Sequence, residues 1–200
     1  MYTFAKRLQN PALLGWAFEM DFMQRLRDCS RKKEQVRVKT FAKRKVSQRK
    51  WDVHGILHFE MDDFEKATVK RLKESILKHF WLRPKKWNQG GYDLACLLSV
   101  DGKYVLRFVQ ITAALEHSLK LKFYLELAID IKQATRIKLE NIEIVMMVPD
   151  EASARRFRIP PNKVADADAL SGWFCGDSNE RWKYGNEGEQ VRVFWFECRK

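Results

Sequence analysis

The chain has no apolar run long enough to cross a bilayer. Its longest, such as Ile144 to Val148, fall far below the roughly 20 residues that a helical span requires. Cysteine is sparse: Cys29, Cys96, Cys175 and Cys198 are scattered through 200 residues without a C-x-x-C or any paired spacing. That pattern argues against a zinc site and against a disulfide scaffold, and makes cytosol or nucleus the expected compartment. Cys96, inside an apolar run, reads as a small core residue. No secretory leader is legible, because Lys6 and Arg7 follow only a short mixed stretch. Internal repeats and low-complexity tracts are missing as well. Acidic residues are outnumbered, 26 against 38 lysines and arginines, for a formal net charge of +12. A surplus of that size draws polyanions and speeds encounter with them, although a basic protein without such a partner has the same count.

What is present suits a folded domain. Hydrophobic residues make up 46% and aromatics 12%, enough to fill a core. Asn10-Pro11 reads as a helix start, with Asn10 as cap and Pro11 in the first position. Leu14, Phe18, Phe22 and Leu26 then recur every fourth residue and predict one apolar face to about Cys29, with Glu19 on its flank. The stretch Arg31 to Lys50 holds a single acid, Glu34. Within it Val36, Val38 and Thr40 alternate with Arg37 and Lys39, a strand with one charged face. Trp51 to Phe59 reads as another strand, with Gly55 as a bulge position. Asp62 to about Leu82 reads as a helix stopped by Pro84.

The middle carries the clearest pattern. Tyr92 to Val100 and Tyr104 to Thr112 are strands joined by the two-residue turn Asp101-Gly102. Leu115 to Ile131 reads as a helix with Leu119, Phe123, Leu127 and Ile131 on one face. Ile142 to Val148, closed by Pro149, has the unbroken apolar character of a strand inside a sheet. Pro160-Pro161 is a break, 172–188 an ordered loop rich in Gly, Asn and Trp, and Val191 to Phe196 a final strand. This succession predicts an α/β fold in which helices flank a mixed sheet. It is read as one domain over 1–200, with a core over about 10–149, an extension over about 150–200, and a place in a longer protein.

Chemistry gathers at one end of the predicted hairpin. Asp93 shares a face with Ala95 and Leu97, and Gln110 and Thr112 share one with Leu106 and Phe108. An aspartate heading an apolar strand is costly to bury without a partner or a metal. Asp93, Gln110 and Thr112 therefore form a site candidate. The alternative is that Asp93 caps a turn and Gln110 bonds main chain at the sheet edge.

A helix with a glutamate, a strand with an aspartate, a strand ending in Gln-x-Thr, a helix and a further strand resemble the restriction-endonuclease-like PD-(D/E)XK superfamily. The resemblance implies that Glu19, Asp93 and Gln110 hold Mg²⁺, and that the metal polarises a phosphate and activates a water while a lysine stabilises developing charge. Thr112 stands where that lysine is expected, and Gln110 is a weaker ligand than glutamate. The lysine role then falls to Lys120 or Lys122, or to His117. The segments Asn10-Pro11, Gly15-Trp16-Ala17-Phe18-Glu19-Met20, Trp87-Asn88-Gln89-Gly90-Gly91-Tyr92-Asp93, Arg107-Phe108-Val109-Gln110-Ile111-Thr112 and His117-Ser118-Leu119-Lys120 together are similar to the C-terminal part of trypanosome retrotransposon hot spot proteins. They are also similar to the C-terminal domains of Crinkler effectors. That resemblance implies a nuclear or perinuclear protein acting near DNA or RNA in chromatin, transcription or RNA export. It also implies an ATPase domain elsewhere in the full-length protein; G-x-x-x-x-G-K-[ST] is absent here, so ATP hydrolysis is not ascribed to this chain.

Further features stay open between two or three uses. Lys43, Arg44, Lys45, Arg49 and Lys50 suit a grip on phosphates, a nuclear import signal or a solvated connection. Trp87 to Tyr92 frames Asp93 or is simple turn chemistry. Trp173, Phe174, Trp182 and Tyr184 suit base stacking, but more often such residues pin a long loop. His54 and His58 lie on a strand pattern and do not make a metal pair. Three functions follow: an Mg²⁺-dependent nuclease or its recent descendant, a catalytically silent DNA- or RNA-binding module, and a protein-interaction domain. None involves a membrane.

Overall fold

The computed structural model describes residues 10–42, 45–59, 80–85, 91–100, 102–170 and 191–196. Helix α1 (Pro11–Lys32) starts as its sequence dictates, with the Asn10 side chain accepting from the Leu13 N–H at 3.1 Å. It closes on Lys33, whose φ of 56° is left-handed, while the Glu34 N–H returns to the Cys29 carbonyl at 2.8 Å. Strands β1 (Val36–Ala42) and β2 (Lys45–Trp51) follow as an antiparallel hairpin in which Ala42 faces Lys45. From Val36 on, the described residues of the basic run are therefore largely paired sheet, and the buried Val36, Val38 and Thr40 hold β1 down. Strands β3 (Gly55–Phe59) and β4 (Phe80–Pro84) come next, then β5 (Leu94–Val100) and β6 (Lys103–Ile111). Beyond them lie the short β7 (Leu119–Lys120), helix α2 (Leu121–Thr135), β8 (Leu139–Val148), helix α3 (Glu151–Arg156), the short β9 (Val164–Ala165) and β10 (Val191–Trp195).

Among the described residues, eight strands form one mixed sheet in the order β2-β1-β10-β8-β6-β5-β4-β3. The α/β class expected from the sequence is the class observed. Within it, β4, β5 and β6 run antiparallel to one another in turn, and β8 returns parallel to β6 after α2. Val100 pairs with Lys103 at the end of the β5-β6 ladder, and β10 lies inside the sheet, parallel to β8 and antiparallel to β1. Among the described residues no helix is long and apolar enough to cross a membrane.

Two segments differ from expectation. Phe80 to Leu82, predicted as the end of a helix, belong to β4, which is parallel to β3 and antiparallel to β5. The rest of that helix, 62–79, lies outside the described residues. A parallel pair needs a long crossover, and β-favouring Phe80 and Trp81 gain more by filling the sheet than by prolonging a helix. The second helix begins at Leu121, not Leu115. Residues 115–120 instead pair with the chain beyond α3: the Arg158 N–H reaches the Leu115 carbonyl at 2.8 Å, and β7 pairs with β9. Leu119 still enters the core, but as a strand residue.

Each face of the sheet is covered. Phe18, Phe22 and Leu26 of α1 pack with Val109, Val145 and Met147. On the opposite face, Tyr124, Leu127 and Ile131 of α2 pack with Phe108, Ile144 and Met146. The sheet curls round α1. Trp51 of β2 lies 5.5 Å from Trp81 of β4, ring to ring, although six strand spacings would separate them by about 29 Å in a flat sheet. Phe194 of β10 completes this aromatic layer at 5.1 Å from Trp51.

Beside the layer, the half-buried Glu143 binds Arg107 at 2.6 Å and Arg192 at 3.5 Å, and the Arg107 guanidinium lies 4.8 Å from the Trp51 ring centroid. Glu143→Gln leaves the Arg107 charge sequestered without its counter-ion and is expected to lower stability by about 2–4 kcal/mol in urea unfolding. Replacing the pair together, Arg107→Met with Glu143→Leu, should recover most of that loss. An unchanged midpoint for Glu143→Gln would show the pair to be structurally idle.

Candidate functional site

Four elements converge at one end of the sheet. The last turn before β5 brings Asp93, the end of β6 brings Gln110, β4 brings Arg83, and α1 brings Glu19. Asp93 is locked to β6 through main chain and side chain. Its N–H donates to the Val109 carbonyl at 2.9 Å, and its Oδ2 accepts the Ile111 N–H at 2.6 Å and the Gln110 Nε2 at 2.9 Å. Gly91 sets the approach: its φ of +102° suits glycine, and a Cβ there would meet the Phe123 Cβ at 3.0 Å. The Tyr124 hydroxyl donates to the Gly91 carbonyl, which ties this turn to α2. Tyr92 is buried against Phe108 and Tyr124.

Glu19 and Asp93 line one cavity of about 250 Å³, together with His58, Arg83, Pro84, Lys85 and Tyr92. Arg83 reaches Glu19 at 3.2 Å. Burial pushes the Asp93 carboxyl up to about 7, against the pull of the Ile111 N–H; Glu19 raises it further and Arg83 opposes that. A carboxylate that is desolvated and near a second one holds its proton into the neutral range, as functional carboxyls often do. His58 moves the other way. Burial, then Arg83, Arg27 and Lys85, press it below the usual histidine value, so it stands neutral at pH 7.

The predicted residues divide accordingly. Asp93 and Gln110 are hydrogen-bonded, and Glu19 joins Asp93 in the cavity. Gln110 meets Asp93 with its amide nitrogen, so it acts as a donor to the carboxylate. Thr112 is buried, bonds its N–H to the Met147 carbonyl at 2.9 Å, and accepts the Ala114 N–H on Oγ1 at 3.1 Å, a turn-forming role. His117 donates from Nδ1 to the Ser118 carbonyl at 2.7 Å. Lys120 precedes α2 as an exposed cap residue, and Lys122 places Nζ 5.3 Å from the centroid of its neighbour Phe123. None of Thr112, His117, Lys120 and Lys122 is among the described residues that line the cavity. Of the basic run, Lys45, Arg49 and Lys50 are exposed on β2, while Lys43 and Arg44 lie outside the described residues, as do Trp173, Phe174, Trp182 and Tyr184.

Among the described residues, Arg83 and Lys85 are the cationic side chains that line the cavity, and neither is a site candidate from the sequence, where a helix runs to about Leu82 and Pro84 stops it. The signal that marks β4 is the short aromatic-rich apolar run Phe80 to Leu82 closed by Pro84, buried on both faces. Comparison with protein-family models, with curated proteins and with solved structures returned no match.

The raised Asp93 pKa carries a stability consequence. The folded state holds this proton up to about pH 7, whereas the unfolded chain releases it near 3.8. The folded state therefore binds more protons between those values, and stability falls as pH rises through that window and levels off above it. Asp93→Asn should remove this slope and raise stability at pH 8 by roughly 2–4 kcal/mol. Urea midpoints at pH 5 and pH 8 for both proteins check it, and parallel pH dependences in the two would contradict the assignment.

Proposed function

We propose that the chain is a nucleic-acid-directed domain built on a metal-dependent nuclease core, with Glu19 and Asp93 as the carboxylates of its site. The observation that carries this reading is the pairing of those two carboxylates in one cavity with Arg83 and Lys85. Like charges drawn together and desolvated are relieved by a cation between them. Among the described residues no three His, Cys, Asp or Glu side chains converge to hold a metal. Two carboxylates suit Mg²⁺, which keeps several waters and binds through one or two carboxylates plus substrate phosphate oxygens. Glu19 and Asp93 would hold it, and Gln110 would steady the Asp93 oxygen that already takes the Ile111 N–H. When bound, Mg²⁺ polarises a phosphodiester and makes its own water more acidic.

The chain's own groups supply the rest. Arg83 and Lys85 offer positive charge to the non-bridging oxygens of a phosphate entering the cavity, the part that the superfamily resemblance would give to a lysine two residues beyond Gln110. Neutral His58, on the rim, is able to accept a proton at pH 7. Asp93 must lose its own proton before it can ligate, so metal affinity should climb with pH through about 7. The basic hairpin at the sheet's open edge and the net charge of +12 favour a polyanionic partner.

A second reading is a binding module that has lost its chemistry. It is favoured by the Gln110 amide, which already satisfies one Asp93 oxygen where a stronger ligand is expected. Labelled DNA and RNA incubated with the protein in Mg²⁺, Mn²⁺ and chelator separate the two. The nuclease reading expects metal-dependent cleavage that Asp93→Ala lowers at least a hundredfold and Arg83→Ala lowers roughly tenfold or more. Salt-sensitive binding without cleavage would leave the binding module. Cleavage that survives Asp93→Ala in a folded protein would remove the site from this cavity.

A further inference from the structure

A second recess lies on the same helix, away from the carboxylate cavity. It is an open groove of about 700 Å³ between the C-terminal half of α1 and the mouth of the β1-β2 hairpin, lined by Arg25, Lys33, Arg37 and Lys50 together with Glu34 and Asp52. Arg37 and Lys50 are direct cross-strand partners. Like charges directly opposite one another destabilise a sheet. Among the described residues, the side chains of Lys33, Arg37 and Lys50 make no hydrogen bond or ion pair, and all three are exposed. The Asp52 carboxylate on the groove wall accepts from the Gln35 amide on Oδ1 at 2.7 Å.

Register explains why the groove is not the whole basic run. Lys50 and Gln48 stand on the same side of the hairpin as Arg37 and Lys39, whereas Lys45 and Arg49 share the side of Val38 and Thr40. Positive charge therefore wraps round both sides of β2, which is an edge strand of the sheet among the described residues. A charged edge of this kind discourages pairing with another peptide strand. It suits instead a chain of regularly spaced negative charges that supplies the counter-charge missing between Arg37 and Lys50.

We infer that this groove binds the phosphate backbone of the nucleic acid, as a second contact site set apart from the carboxylate cavity. Arg37 and Lys50 clamp one phosphate from facing strands, and Lys33, held at the end of α1, meets the next. The site rests on the reading of the protein as nucleic-acid-directed. It adds where the polymer lies beyond the cavity, with α1 bordering both: Glu19 faces the cavity and Arg25 the groove.

Fluorescence anisotropy of a labelled oligonucleotide, as single strand and as duplex, titrated across a range of NaCl, tests it. The double variant Arg37→Ala/Lys50→Ala should bind about tenfold more weakly near 0.15 M salt, with a slope of log affinity against log salt shallower by about 1.4–1.8. Its urea midpoint should be unchanged or raised, because a repulsive pair is gone. The charge-keeping Arg37→Lys/Lys50→Arg should retain the wild-type slope, and Lys132→Ala/Lys138→Ala, with the same change in net charge, should not reproduce the loss. Lys33→Gly removes one cation at a left-handed position that glycine favours, so weaker binding by that variant is not a folding defect. A wild-type slope in both Arg37→Ala/Lys50→Ala and Lys33→Gly, while the wild-type protein binds in a salt-sensitive manner, would overturn the groove and leave the nucleic-acid reading standing. Absence of salt-sensitive binding by the wild-type protein would overturn both.

Discussion

The candidate site depends on one buried carboxylate and the main-chain hydrogen bond that fixes it. Asp93 Oδ2 takes the Ile111 N–H at 2.6 Å, which joins the entry of β5 to the end of β6 through a side chain where the strand ladder is running out. An unmet N–H at that depth would cost of order 1–3 kcal/mol, so the contact serves the fold as well as the site. Burial also raises the Asp93 pKa to about 7, even though this bond favours the charged form. Fold and chemistry thus pull against each other on the same atom: the sheet end needs an acceptor, and the acceptor's ionisation is costly there. A divalent cation between Asp93 and Glu19 would settle the conflict, and so would a retained proton.

The surroundings follow from the same geometry. β4 lies beside β5, and its Arg83, on the same face of the strand as Trp81, reaches Glu19 on α1 at 3.2 Å. The curl of the sheet, marked by Trp51 against Trp81, wraps the strands round α1 and keeps that helix bordering both the cavity and the basic groove. Gly91 and the Tyr124 hydroxyl hold the turn before Asp93 against α2, so both helical layers share in placing one carboxylate.

Local signals in the sequence predicted what depended on local physics. The Asn10-Pro11 cap, the fourfold spacing of Leu14 to Leu26, the pairing of the two strands up to Val100 and Lys103, and the apolar run into Pro149 each became the element expected. The Asp93–Gln110 pairing was legible too, because a two-residue hairpin sets the register of its strands and brings these two residues together. What failed depended on partners distant in sequence. Phe80 to Pro84 joined a sheet whose neighbours are β3 and β5, and residues 115–120 were drawn off a helical pattern by Arg158 and Val164. Those two differences moved the site's positive charge from the expected Lys120 and Lys122 to Arg83 and Lys85. The split of the basic run into two faces is hidden for the same reason, since it depends on the register of β2 with β1.

The central claim is that Asp93 is a desolvated carboxyl poised between a proton and a cation. A titration of the Asp93 side-chain carboxyl by ¹³C NMR, with and without Mg²⁺, tests it most directly. The account predicts a midpoint near 7 in the metal-free protein, moving to lower pH as Mg²⁺ is added, with the shift lost when Glu19 is replaced by Gln. A midpoint near the ordinary aspartate value of 3.8, or one near 7 that Mg²⁺ leaves in place, would contradict it.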